Sequence, residues 1–191
     1  MVPADPKDHP VLSELTGEFD CSGFSCGDDL EDEEVNYFLR HDALFQHRMN
    51  LNRTQILHYP TDLRVLGFIT MTMGQIRRVI DGLPERPIGC VFVPYLGIQK
   101  ENQRKGWGTL VLSFAIGEAV RLSSEIGCRG VGLNCRNRRL DWYEELGFER
   151  YGVTEDLRGP LNRMFFDILG EALEPVTERS ENETSGPEAA S

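Results

Sequence analysis

Leu96-Gly-Ile-Gln-Lys-Glu-Asn-Gln-Arg-Lys-Gly-Trp-Gly-Thr-Leu110 is the stretch whose reading decides the fold. Ahead of it, Ile88 to Ile98 is rich in β-forming residues and predicts a strand. Behind it, Trp107 to Ile126 repeats apolar residues at helical intervals (Leu110, Val111, Phe114, Ala115, Leu122) until Gly127 stops the pattern. Between the two lies a loop with Gln103, Arg104, Lys105, Gly106 and Gly108. Unpaired N–H groups at a helix N-terminus, approached closely because glycine carries no side chain, make an anion site, and Arg104 and Lys105 add positive charge. On spacing alone, a plain glycine-containing turn with surface bases fits equally well. Neither common nucleotide loop is present. There is no Gly-x-x-x-x-Gly-Lys-Ser/Thr, and Gly106-x-Gly108 is followed by Val111 where a dinucleotide fingerprint needs a third glycine.

The strand before the loop is itself interrupted. Pro94 cannot donate to a sheet ladder, so with Gly97 it predicts a bulge or a place where pairing opens. Working outward, Val11 to Leu15 predicts a first strand, and an acidic run, Asp28 to Glu34, precedes Val35, Phe38, Leu39 and Ala43 at helical spacing. Acids there complement the exposed N–H groups of a helix start, which predicts a helix over 33–47. Thr54 to Tyr59 and Arg64 to Met73 predict a hairpin about Pro60-Thr-Asp62. Gly130 to Cys135 predicts a strand, Arg138 to Leu146 a helix stopped by Gly147, and Phe148 to Val153 and Leu161 to Ile168 two closing strands. The order predicts an α/β domain with a mixed sheet.

Charge is divided along the chain. The net −11 comes from residues 1–34, at −10, and 171–191, at −5, around a body of +4. Such runs are ordinarily solvated; the alternative is that they steer substrate choice or mimic an acidic ligand. Residues 1–10 read as a flexible lead-in, 11–169 as the folded domain and 170–191 as an acidic disordered tail. No apolar run approaches the roughly 20 residues of a membrane span, and Met1 to Pro10 is not a signal peptide, so no membrane association and a cytoplasmic location are expected. Five cysteines without CxxC spacing, away from the four histidines, predict reduced, mostly buried thiols and no metal centre, although a Cys21–Cys26 pair stays open as the sharper reading.

Gln103-x-x-Gly106-x-Gly108 after a strand resembles the acetyl-CoA pyrophosphate loop of the GNAT (Gcn5-related) N-acetyltransferases. Asp141-Trp-Tyr143-Glu-Glu-Leu-Gly147-Phe148 resembles that family's second signature, Tyr-x-x-x-Gly-Phe. The resemblance covers residues 11–168 and implies a mostly antiparallel sheet flanked by helices, with a bulged, splayed central strand. It implies that backbone around Leu96, Gly97 and Ile98 meets pantetheine and polarises the thioester carbonyl. Main-chain N–H groups of Gln103, Arg104, Lys105, Gly106, Trp107, Gly108 and Thr109 would hold the pyrophosphate. Tyr143 would protonate the departing thiolate; the unperturbed pKa of a phenol, about 10, lies near that of a thiol, about 8.5, so the transfer is not steeply uphill. The bland reading of Tyr143 is a packing aromatic. Glu101 is the acid nearest the cofactor strand, and the general base stays open.

A narrower likeness concerns the acceptor. Ser22-Gly-Phe24-x-Cys26-Gly27, Tyr37-Phe-Leu39-Arg40 and Asn52-Arg53-Thr54 resemble the toxin-type GNATs of type II toxin–antitoxin modules. That likeness implies acetylation of the α-amine of aminoacyl-tRNA, a ribbon-helix-helix antitoxin and a possible homodimer, with Arg77, Arg78, Arg136, Arg138 and Arg139 as candidate phosphate contacts. The alternatives are a housekeeping acetyltransferase of a small-molecule or protein amine, and a non-catalytic acyl-CoA-binding module.

Overall fold

Pro60 and Thr61 join the first pair of long strands, β2 (Arg53–Tyr59) and β3 (Asp62–Arg77), with Tyr59 opposite Asp62. The computed structural model describes residues 9–77 and 86–170; Arg78, the lead-in up to residue 8 and the tail from 171 lie outside them. Around the hairpin, β1 (Val11–Glu14), β4 (Pro87–Ile98), β5 (Gly130–Cys135), β6 (Glu149–Asp156) and β7 (Gly159–Asp167) complete a seven-stranded sheet. Its order is β1-β2-β3-β4-β5-β7-β6, antiparallel except for the β4–β5 pair.

Neighbouring residues of a strand point to opposite faces, and both faces here are covered. Leu57, Ile69, Val93, Leu133 and Met164 pack beneath α3 (Trp107–Ser123), which buries Val111, Leu112, Ala115 and Ala119. Their sequence neighbours Ile56 and Phe68 face the other way, against Phe24, Phe38, Leu39 and Ala43. Burying an aliphatic side chain of this size contributes about 1.5–3 kcal/mol. A carboxylate at Val111, which is wholly buried, would break the α3 layer.

The second layer is one helical segment from Leu30 to Arg48 in three parts: α1 (Leu30–Tyr37), a π-helical turn at Phe38–Asp42, and α2 (Ala43–Arg48). It begins three residues earlier than the periodicity predicts, because Glu31, Asp32 and Glu33 already lie in the first turn, where acids suit the dipole. The wide turn brings the Phe38 ring onto Tyr95 of β4, with centroids 3.9 Å apart. Strands β3 and β6 likewise outrun the sequence reading, to Arg77 and Asp156.

The interruption in β4 lies where Pro94 puts it. Thr70 faces Tyr95 while Thr72 faces Phe92, so two residues of β4, Val93 and Pro94, oppose Met71 alone. Pairing with β5 covers Val91, Phe92 and Val93 and then stops. From Pro94 onward the two strands diverge, opening a V in the middle of the sheet. A short helix, α4 (Asn137–Glu145), follows β5 at the mouth of that V.

Candidate active site

A cleft of about 570 Å³ occupies the V. One wall is the departing end of β4, Pro94 to Ile98; the opposite wall is Asn134 and Cys135 of β5, with Trp142 and Tyr143 of α4. The backbone N–H of Gln99 donates to the carbonyl of Leu66, on the β3 side. Because alternate residues of a strand present their N–H groups to opposite edges, those of Ile98 and Leu96 face the open edge left by β5. Gly97 is required by its neighbours: a Cβ there would lie 2.9 Å from Phe68 and 3.0 Å from Val35.

The loop into α3 is built for close approach. Arg104, at φ 61°, and Gly106, at φ 83°, both adopt the left-handed conformation, and Gly106 caps α3 without any side-chain hydrogen bond. The first N–H groups of the helix are therefore left to an external acceptor. The Gln103 side chain has a part of its own, beside the backbone role that the motif suggests. Its Nε2 donates to the carbonyls of Cys26, at 2.5 Å, and Ile98, at 3.0 Å. Its side chain thus fastens the loop, leaving the backbone for a ligand. Lys105 bonds Asn102 and Trp107 packs on the core, so neither side chain lines the cleft, whereas Leu96, Gly97, Ile98, Gln103, Arg104, Gly106, Gly108 and Thr109 do.

The sequence reading missed the support beneath this loop. Asn36 is fully buried; its Oδ1 accepts from the Cys26 N–H at 2.8 Å and its Nδ2 donates to the Gly27 carbonyl at 3.0 Å. Arg40 donates to the Phe24 carbonyl from both Nε and a terminal nitrogen. An amide in the apolar stripe of a helix was the one visible signal.

Tyr143 is buried in the cleft wall, its ring set edge-on against Trp142 and Phe148. Among the described residues no group hydrogen-bonds its hydroxyl, and leaving such a group unmatched costs about 1–3 kcal/mol. Burial pushes the phenol above the usual tyrosine range, the neighbouring Cys135 adds to the rise, and Arg139 opposes it. It is a proton donor at neutral pH. All five cysteines are free, and burial pushes Cys26, Cys90 and Cys135 up to about 11.

The rim is charged and internally paired. Arg138 meets Asp29 at 2.7 Å, Glu31 at 2.5 Å and Asp32 at 2.5 Å. Arg139 stands 3.8 Å from Asp32, and Arg158 bonds Glu34 at 2.8 Å. Arg136 grips Asp156 through 2.6 and 2.7 Å contacts and donates to the carbonyls of Gly159 and Pro160. Arg136, Arg138 and Arg139 therefore line the cleft as expected, but their guanidinium groups are engaged by carboxylates of this chain. Arg77 stands elsewhere, opposite Pro87 at the far end of β3, and Glu101 lies exposed in a short 3-10 turn outside the cleft.

No protein-family profile matches the chain. It is similar to a tRNA-acetylating toxin of Mycobacterium tuberculosis (strain ATCC 25618 / H37Rv), 28% identical over 118 residues that cover 59% of this chain and 67% of the relative. Among solved structures it resembles AtaT complexed with acetyl-methionyl-tRNAfMet, with a TM-score of 0.71 and 25% identity over 83% of this chain and 94% of that one. AtaTR bound with AcCoA matches with a TM-score of 0.68 and 25% identity, over 84% and 94%. The chain shares with those structures a mixed α/β fold, a seven-stranded, mostly antiparallel sheet flanked by helices.

Proposed function

We propose that this chain, a GNAT-fold N-acetyltransferase that uses acetyl-CoA, transfers the acetyl group to the α-amine of an aminoacyl-tRNA. The residues fit the donor. The cleft has the size of a small-ligand site, the start of α3 offers N–H groups to a pyrophosphate, and β4 leaves an edge open to a pantetheine amide. Acetyl-CoA supplies an activated thioester; everything else falls to the chain. The N–H groups of Leu96 and Ile98 aim at the charge that develops on the carbonyl oxygen. Gly106, Trp107, Gly108 and Thr109 orient the donor through backbone alone, while Arg104 adds charge at the same place. The amine attacks the thioester carbonyl directly and the C–S bond breaks; Tyr143 gives its proton to the departing thiolate, and the proton the amine sheds passes through solvent to restore the phenol.

The observation that carries the reading is the Tyr143 hydroxyl, buried in the cleft wall with its proton held and no protein partner among the described residues. The acceptor rests on the kinship to a tRNA-acetylating toxin and on the arginine rim beside the cleft. A target of that kind implies a cytoplasmic enzyme, and a toxin implies a neutralising partner, here a ribbon-helix-helix antitoxin; a homodimer belongs to the same proposal. Among the described residues no helix is long and apolar enough to cross a membrane.

Mass spectrometry of aminoacyl-tRNA from cells expressing the chain tests this. Acetylated aminoacyl-tRNA with arrested growth is expected; unmodified tRNA with normal growth would sink it. One observation favours a second reading, a small or protein amine. The rim arginines are already paired with carboxylates of this chain, which suits an acceptor that brings no phosphates of its own. CoA release with such an amine and none with aminoacyl-tRNA would select it.

A further inference from the structure

The splay divides the sheet into two halves, and a band of ion pairs bridges them. The acids belong to α1 and the two residues before it, and α1 packs through Val35 and the following Phe38 on the β1–β4 half. The bases Arg136, Arg138 and Arg139 belong to the β5–α4 segment, and Arg158 to the turn between β6 and β7. Each carboxylate of the run is engaged: Asp28 by Lys100, Asp29, Glu31 and Asp32 by Arg138, Glu33 by Arg40, and Glu34 by Arg158. Arg158 also donates to the Leu30 carbonyl, so the β6–β7 turn is fastened to α1 by backbone as well as by charge. Glu31, Asp32 and Glu34 line the cleft beside Arg136, Arg138 and Arg139.

We propose that the acidic first turn of α1 is a specificity-determining strap, holding internal carboxylates on the arginines where the phosphates of a nucleic-acid acceptor bind. This rests on the aminoacyl-tRNA reading and deepens it. A carboxylate and a phosphate present the same paired oxygens to a guanidinium, so one can replace the other on Arg138, Arg139 and Arg158. The exchange is feasible because the outer pairs are well exposed. Side chains of Asp29 and Glu34 are 73% and 44% accessible, and pairs of that kind contribute roughly 0–1 kcal/mol each. Asp32, at 10%, stays as the buried anchor. An acceptor with too few phosphates to displace the strap is refused. One that spans several arginines opens it.

The test compares the full chain with its Asp29→Asn/Glu31→Gln/Glu34→Gln variant, using deacylated tRNA as probe and titrating salt. With the strap uncharged, the variant is expected to bind at least about tenfold tighter near physiological salt. Its dependence of log Kd on log salt should stay close to the parent's, because once tRNA has displaced the strap the same arginines meet the same phosphates in both complexes. Equal affinity in a folded variant overturns the proposal, and so does a much steeper slope, which would mean that the strap of the parent stays in place when tRNA binds. Should the variant not fold, hydrogen exchange on the parent protein decides. Amides of residues 30–37 exchange faster when tRNA is bound if the strap is displaced; unchanged or slower exchange overturns it. Acetylation of aminoacyl-tRNA by the parent is scored separately, so that a wrong acceptor and a wrong strap give different results.

Discussion

On the proposed function, Tyr143 concentrates the chemistry in one atom. Its ring is held by Trp142 and Phe148 in the cleft wall, so removing the oxygen should leave packing intact. Tyr143→Phe is expected to lower kcat by about 10²–10⁴, the range for a lost general acid, with KM for acetyl-CoA unchanged and Tm raised, because the hydroxyl it removes is buried without a partner among the described residues. Steady-state kinetics with thermal melting checks this, and turnover equal to the parent would remove Tyr143 from the mechanism. Its raised pKa carries a sign. Below the ordinary phenol value, about 10, the proton is bound in both folded and unfolded chains, and the folded state keeps it longer as pH rises. No alkaline loss of kcat due to this group should therefore occur up to about pH 10. A falling limb near pH 8 in the parent that vanishes from the residual activity of Tyr143→Phe would show that the phenol ionises early. Gly106 makes a second residue-scale case. A Cβ there meets nothing within 4 Å, so the cost of Gly106→Ala lies in the left-handed backbone, about 1–2 kcal/mol. Tm should fall by a few degrees, and acetyl-CoA affinity should fall further than stability if the turn pre-forms the anion loop. Calorimetry on both proteins separates the two effects.

At the scale of elements, α1 and the anion loop depend on each other through Asn36. Its amide holds Cys26 and Gly27, and Cys26 in turn accepts from Gln103 at the entry to α3. Asn36→Ala strands a buried N–H and a carbonyl, which should destabilise the fold by roughly 2–4 kcal/mol and raise KM for acetyl-CoA although Asn36 touches no ligand. Denaturant melts and donor kinetics measure both; a stability loss with unaltered KM would uncouple the two elements. This connection shows where the sequence is transparent and where it is opaque. The break in β4 could be read from Pro94, because a missing N–H forbids pairing wherever the residue stands. The start of α3 could be read from Gly106 and Gly108 for the same local reason. The pairing of Arg138 with Asp29, 109 residues apart, has no local signature. Charges are visible in a sequence and their partners are not, so the arginines read as phosphate contacts and the acidic run as solvated. The side chain of Gln103 is a like case: the motif marks the position, but what that side chain holds, the Cys26 carbonyl, lies 77 residues earlier.

For the molecule as a whole, the consequence of the V is a sheet with a weak seam. Strands β4 and β5 share three residue pairs, whereas β3 and β4 share ten. Across the seam the two halves are held by α3 on one face and by the α1 ion pairs on the other. On the proposed function, a donor lying between the strands would replace the pairing that Pro94 prevents, with one half supplying the N–H groups of β4 and the other supplying Tyr143. Binding should therefore be read by the entire fold. A ligand that binds the native state alone, at 100 times its Kd, stabilises by about 2.7 kcal/mol. For a chain of this length each kcal/mol moves Tm by about 2–4 °C, so acetyl-CoA should raise the melting temperature by roughly 5–11 °C as a single transition. Differential scanning calorimetry over a donor titration measures it. A shift confined to one of two transitions would mean that the halves unfold separately and the cleft is not shared. No shift at saturating donor would mean that the V is not where acetyl-CoA binds, and the roles given to Leu96, Ile98 and Tyr143 would fall with it.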